Sequence, residues 1–243
     1  PLCEATQRAA KEAGLAYAPL LQEPIAAAIA YAGSARMRDG YWLVYDLGGG
    51  TFDATLVRSR AGRLVIEDHD GDNQLGGKDL DRAVARRAIE SARSGGKLGE
   101  FKRSDPRFAM DFARIRAESE RVRVALSDVE TVTFRLERLG GEVDLEFQLD
   151  RGELEALAAP AIDRTASLCK AILERNRVRP TELHGIVLVG GPTQTPFVAG
   201  HLKAALGCEA RHVGDPMLMV AQGAALFAST LRKPEALVKR PAN

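Results

Sequence analysis

Two glycine-rich corners hold the residues of this sequence best suited to chemistry. The first is Asp46-Leu47-Gly48-Gly49-Gly50-Thr51-Phe52-Asp53, set between two apolar runs. Consecutive glycines permit a tight turn and expose successive backbone N–H groups, which a nest for phosphate oxygens requires. Asp46 ends the first run, where a carboxylate can hold Mg²⁺ through water, and the Thr51 hydroxyl can bond a phosphate oxygen. A plain glycine hairpin with a polar tip would use the same residues, and the motif alone leaves both readings open. The second corner is Ile186-Val187-Leu188-Val189-Gly190-Gly191-Pro192-Thr193, a buried-strand pattern running into a turn and a helix. Such a turn lets a flat ligand lie on the backbone beside the free N–H groups of a helix start, or it serves packing alone.

Two smaller groups accompany the corners. Glu23, in Gln22-Glu23-Pro24, directly precedes a proline-started helix. Its carboxylate either faces the helix dipole or serves as a water-orienting group or a relay to a lobe interface. Glu120, Arg123 and Ser127 stand at i, i+3 and i+7 on a predicted helix and share one face. They form either a surface ion pair, Glu120 to Arg123, or a hydrogen-bonding rail for a ribose and adenine.

The elements that must position these residues follow from periodicity. Helix-like spacing covers residues 3–14, a short strand is expected at Ala16–Leu21, and an alanine-rich helix at Ile25–Ala32. Tyr41–Asp46, Thr51–Arg60 and Leu64–Asp70 read as a β-meander. Two long helices, Asp79–Ser94 and Pro106–Ser127, come next; Phe108, Phe112, Ile115, Val122 and Leu126 mark the buried stripe of the second. Thr131–Leu139 and Val143–Leu149 form a hairpin about Gly140-Gly141. Asp150 and Glu153 suggest a capping box for a helix with Leu154, Leu157, Ala161, Leu168, Ile172 and Leu173 on its core face. Strand Ile186–Val189 and helices at 195–206 and 216–230 complete an α/β or α+β layering. The helical middle, 76–154, reads as an insertion between two parts of one sheet.

Composition narrows the function classes. With 243 residues and 45% apolar content the chain can bury a full core. Its 34 Lys and Arg almost cancel 33 Asp and Glu, so a net charge of +1 gives no footprint for nucleic acid or an anionic membrane. No stretch approaches the ~20 apolar residues of a membrane span. Three scattered cysteines, Cys3, Cys169 and Cys208, form no CxxC pair and fit a reducing cytoplasm, with Cys169 a small core residue.

Taken in order, the motifs resemble the DnaK-type heat-shock 70 kDa chaperones. Gln22-Glu23-Pro24 with Ala26–Tyr31, Tyr45–Asp53, Gly71-Asp72, Leu75-Gly76-Gly77 with Asp79 and Asp81, and Val189-Gly190-Gly191 with Thr193 and Pro196 carry the likeness. It runs from about residue 5 to 230. Actin and the sugar kinases are similar in plan, but no phosphoacceptor pocket is identifiable here. The resemblance implies an actin-like, ribonuclease H-like ATPase lobe with a mixed sheet and a smaller α+β upper subdomain. Residues 1–39 would be the tail of the first lobe's base, 40–75 with 155–230 the second lobe's base, 76–154 its upper subdomain and 231–243 a frayed tail.

By position, Glu23, Asp46, Thr51 and Asp53 match the family's catalytic and Mg²⁺-organising residues, with Asp46 at the metal. Gly48, Gly49 and Gly50 match its second phosphate loop and Gly77 its ribose contact. Glu120, Arg123 and Ser127 match its adenosine rail; Gly190, Gly191 and Gln194 lie in its adenosine motif. Departures are Arg123 for a lysine, Gln194 for an arginine flanking the adenine, Met217-Leu218 for an acidic pair, and Lys78 for an acid. The family's first phosphate loop, catalytic lysine and peptide-binding domain are not among these residues. The expectation is therefore a fragment that binds ATP/ADP with Mg²⁺ weakly and hydrolyses negligibly, from a cytoplasmic parent ATPase that works with co-chaperones and a nucleotide-exchange factor. The alternative is a non-hydrolysing interaction module that dimerises through an uncovered 25–32 helix.

Overall fold

The computed structural model describes residues 2–15, 17–34, 37–94, 105–141 and 143–231. In chain order these form α1 (Leu2–Glu12), α2 (Glu23–Ser34), β1 (Gly40–Leu47), β2 (Phe52–Arg60), β3 (Arg63–Asp72), α3 (Gly77–Ser94), α4 (Ala109–Ala125), β4 (Thr131–Leu139) and β5 (Val143–Asp150). There follow α5 (Arg151–Arg175), β6 (Leu183–Val189), α6 (Phe197–Leu206), β7 (Ala210–Arg211) and α7 (Met219–Thr230).

Five strands make one mixed sheet in the order β3-β2-β1-β6-β7. The predicted meander supplies its antiparallel half, while β6 pairs parallel to β1 and β7 parallel to β6. Alternation along the strands sends Leu43, Tyr45 and Leu47 to one face and Trp42 and Val44 to the other. Helices α5 and α6 cover the first face. Helices α2 and α7 cover the second. With both faces buried the α/β expectation is met.

Close packing of α2 on α7 depends on size: a Cβ on Gly223 would fall 1.7 Å from the Ala26 carbonyl oxygen. Ala26, Ala27, Ala28 and Ala30 are buried, so the helix expected to lie open for dimerisation is covered by α7. Exposed apolar side chains in this region belong instead to Leu15, Tyr17 and Leu20. Residues 17–22 pair with no strand, contrary to the expected strand at 16–21; Ala16 lies outside the described residues.

A second core gathers α3, α4, the β4–β5 hairpin and the start of α5 around Ile115, Val122, Leu126 and Phe134. Gly140 and Gly141 make the predicted turn with φ of 61° and 91°. Asp150 caps α5 through the Glu153 N–H at 2.8 Å, but Glu153 turns to Arg87 at 2.7 Å, so only half of the capping box forms. The buried face of α5 centres on Ala158, Ile162, Ala166 and Cys169, leaving Leu157, Ala161 and Leu168 half-buried at its flank. Among the described residues no helix is long and apolar enough to cross a membrane.

Candidate functional site

Parallel pairing of β1 with β6 aligns Asp46 with Val189, so both strands deliver their glycine corners to one end of the sheet. In an open α/β sheet the crevice beyond the carboxyl ends of such strands is where ligands bind. The corners touch. A Cβ on Gly190 would lie 2.1 Å from the Leu47 carbonyl oxygen and 3.1 Å from Asp46 Oδ1. Gly190 adopts φ 89°, its N–H donates to the Pro216 carbonyl at 3.1 Å, and its carbonyl accepts from the Thr193 hydroxyl at 2.6 Å.

The β1–β2 turn is closed by the Gly48 N–H donating to the Thr51 carbonyl at 2.9 Å. Its carbonyls face the start of α3: Gly48 O accepts from Gly77 N–H and Gly49 O from Lys78 N–H, both at 2.9 Å. Gly76 must be small, because its Cβ would lie 2.6 Å from the Gly50 nitrogen. With the carbonyls docked, the N–H groups of Gly49, Gly50 and Thr51 and the Thr51 hydroxyl have no partner among the described residues. The loop therefore presents donors outward, as an oxyanion requires.

Beside the loop, the face of the sheet under α2 carries Asp46 and Asp53, which pair directly across β1 and β2. Together with Glu23 at the start of α2, they line a cavity of about 290 Å³ that also takes in Thr55 and His69. Burial, then the charges of Glu23 and Asp53, push the Asp46 carboxyl up to about 6. Asp53 is likewise raised by burial, against the opposing pull of His69. His69 was not singled out from the sequence; its alternation along β3 and pairing with Thr55 are the signals that place it here.

Among the described residues no three His, Cys, Asp or Glu side chains converge to ligate a metal directly. Mg²⁺, which keeps several waters and binds through one or two carboxylates plus substrate phosphates, suits such a set. A cation would also relieve the repulsion that raises Asp46.

The rail is rearranged. Arg123 is buried and its Nε donates to Asp81 Oδ1 at 2.6 Å, so of the two readings the Glu120–Arg123 surface pair does not form. Burial raises the Asp81 carboxyl from its ordinary value despite the adjoining guanidinium, with Glu120 and Asp79 adding repulsion. Glu120 is exposed one turn earlier, while Ser127 lies past the end of α4, in a turn held by Arg151. Gly77 closes the gap, since its Cβ would sit 2.7 Å from Pro192 and 3.7 Å from Arg123 Nη2. Hence α3, α4 and the second corner meet at one seam. Gln194 is exposed at the end of the 191–194 turn, and Met217 packs on Gly191, its Cγ and Sδ each 3.5 Å from where a Cβ would stand.

Comparison with known proteins adds an independent line. The family described as Hsp70 protein matches residues 3–239. A chaperone protein HscA homolog of Variovorax paradoxus is 37% identical over 228 residues, covering 94% of this chain and 35% of that protein. The chaperone protein DnaK of Cenarchaeum symbiosum is 33% identical over 235 residues, with the same 94% and 35% coverage. An HscA homolog of Acidithiobacillus ferrooxidans is 36% identical over 228 residues, again 94% of this chain and 35% of the relative. The chain thus spans about a third of the curated relatives it matches.

Proposed function

The chain belongs to the Hsp70 family, and from that premise we propose that it forms the second lobe of a chaperone's ATP-binding domain. Residues 40–75 and 155–230 are its base and 76–154 its upper subdomain; 1–39 belongs to the first lobe's base, and 232–243 of the tail lie outside the described residues. The observation carrying this reading is the shared wall of the two glycine corners, with Gly190 packed on the backbone that leads into Gly48–Gly50.

In this reading the N–H groups of Gly49, Gly50 and Thr51 and the Thr51 hydroxyl bind phosphate oxygens. Asp46, supported by Asp53, would hold Mg²⁺, and the ion would supply charge neutralisation of the phosphates. Glu23 orients a water molecule at the same cavity. Gly77 takes the ribose. The Gly190-Gly191 turn, Glu120, Arg123 and Ser127 flank the nucleoside, with Gln194 at its edge. Arg123 is committed to Asp81, so it serves as a fixed wall and offers the ligand only its remaining N–H groups.

Phosphoryl transfer depends on positioning and charge stabilisation from every side of the phosphates. Within these residues the phosphate contacts come from one side. Weak ATP and ADP binding with negligible turnover is the expectation for them alone. The whole protein would hydrolyse ATP in the cytoplasm to control peptide binding, with co-chaperones and an exchange factor as partners. Three free cysteines suit that compartment.

Calorimetry with Mg²⁺·ATP and Mg²⁺·ADP, beside a phosphate-release assay, tests the proposal. One weak, saturable site without turnover supports it. Absence of any nucleotide heat, or brisk hydrolysis, would defeat it.

A further inference from the structure

The opposite end of the sheet holds a second cavity, of about 290 Å³, framed where β1 and β6 begin. Tyr31, Trp42 and His184 wall it, and Arg38 and Arg211 stand exposed at its rim. Those rings are fixed in place. The Tyr31 and Trp42 centroids are 5.1 Å apart, and those of Trp42 and His184 5.9 Å. Trp42 Nε1 donates to the Arg38 carbonyl at 2.9 Å, and His184 Nε2 donates to that of Asp39 at 2.8 Å. Gly185 makes room for the indole, since a Cβ there would lie 2.9 Å from Trp42 Cζ3.

Polar groups around this cavity are unbalanced. Arg38 and Arg211 form no ion pair among the described residues. Glu209, the carboxylate on the lining, pairs with Lys203 at 2.5 Å, which together with the nearby charge of Arg211 holds it below its ordinary value. Tyr31 is only 6% exposed, yet its hydroxyl makes no hydrogen bond among the described residues. An unpaired hydroxyl on the lining and two guanidinium groups that make no direct ion pair together offer a donor set for an oxyanion. The volume lies at the lower end of the range for ligand pockets, about 300 Å³ upward, so the occupant is compact.

We infer that this cavity binds a small organic anion, a phosphate or carboxylate about the size of an amino acid, at a site separate from the glycine corners. Guanidinium groups engage the oxyanion, the Tyr31 hydroxyl donates to it, and the aromatic walls enclose its carbon portion.

Trp42 is the single tryptophan of the chain, so intrinsic fluorescence reads the cavity directly. Titration of the full chain with phenyl phosphate and with benzoate should give a saturable change with at least one. The tighter probe identifies the phosphate or the carboxylate as the source of the charge. Arg38→Ala and Arg211→Ala should each weaken binding about tenfold or more. Tyr31→Phe, which keeps the ring, should weaken it several-fold, and Arg38→Lys should restore part of the loss. Both arginines are exposed, so the variants should fold, as an unchanged thermal transition would verify. No saturable response to either probe would overturn the inference, as would equal affinity in the Arg38→Ala, Arg211→Ala double variant.

Discussion

At Gly190 a Cβ would strike the Leu47 carbonyl oxygen at 2.1 Å and the backbone is left-handed at φ 89°, whereas at Gly49 a Cβ would meet nothing within 4 Å. The two corners adjoin, yet they are glycine for different reasons. Gly190 is demanded by the fold, because no other residue fits between neighbouring strands in that conformation. Nothing within the chain demands Gly49. A glycine costs unfolded-state entropy, and at Gly49 the proposed phosphate contact offers the reason that packing does not. The same contrast separates the paired Asp81–Arg123 seam from the repelling carboxylates Glu23, Asp46 and Asp53. Paired groups hold the architecture; the repelling ones are where the proposed Mg²⁺ would be held.

Gly190→Ala should break the comparison most severely. Left-handed strain and a backbone clash together should cost about 4 kcal/mol in urea unfolding. A loss below about 1 kcal/mol would mean that the corner relaxes easily and the shared wall is no constraint. Next comes Arg123→Met, which leaves Asp81 buried without its partner and should cost about 3 kcal/mol. Replacing Asp81 by Leu in the same variant should recover most of that loss, since the penalty lies in the orphaned charge. If the double variant is no better than the single one, Arg123 acts through packing and not through the ion pair.

That seam also marks where the sequence stops being legible. The meander, the hairpin and both long helices could be read from periodicity, because alternation of two and of three to four residues is a local property. The glycine corners were legible too, since they combine a local turn with a local apolar run. Arg123 finds Asp81 across 42 positions of chain, and that choice depends on how α3 packs against α4. Ser127 was assigned to α4 because its spacing fits, but Leu126 caps the helix and Arg151 draws the last carbonyls away. Pairing of the two-residue β7 with β6 is tertiary as well, so no periodicity in Ala210–Arg211 announces it.

A moderate effect is expected from pH at the unpaired cluster. Asp46 has an ordinary value of 3.8 and is raised to about 6 in the folded chain. Between those values the folded state binds more protons than the unfolded state, so stability falls as pH rises from about 4 to 6. Each unit is worth about 1.4 kcal/mol at full burial, and partial solvation should reduce the total to about 1–2 kcal/mol. Asp46→Asn should flatten the slope in thermal melts across that range. Mg²⁺·ADP should raise the melting temperature more at pH 7 than at pH 5, because only the ionised carboxylate attracts the cation. An unchanged slope in Asp46→Asn would place the titration on another group.

The smallest change in stability should come from Gly49→Ala, and it sharpens the comparison most. Gly49 lies outside the left-handed region and a methyl group there meets open space. Alanine should therefore leave unfolding within about 0.5 kcal/mol of the parent, or raise it slightly through the unfolded state. Nucleotide affinity should nevertheless fall, because the methyl group occupies the space in which a phosphate must approach the N–H groups. Calorimetry with Mg²⁺·ADP is the measurement, and a drop of about tenfold with unchanged unfolding would separate ligand access from packing. If affinity and stability both stay unchanged, the first corner is a hairpin with a polar tip and the phosphates bind elsewhere.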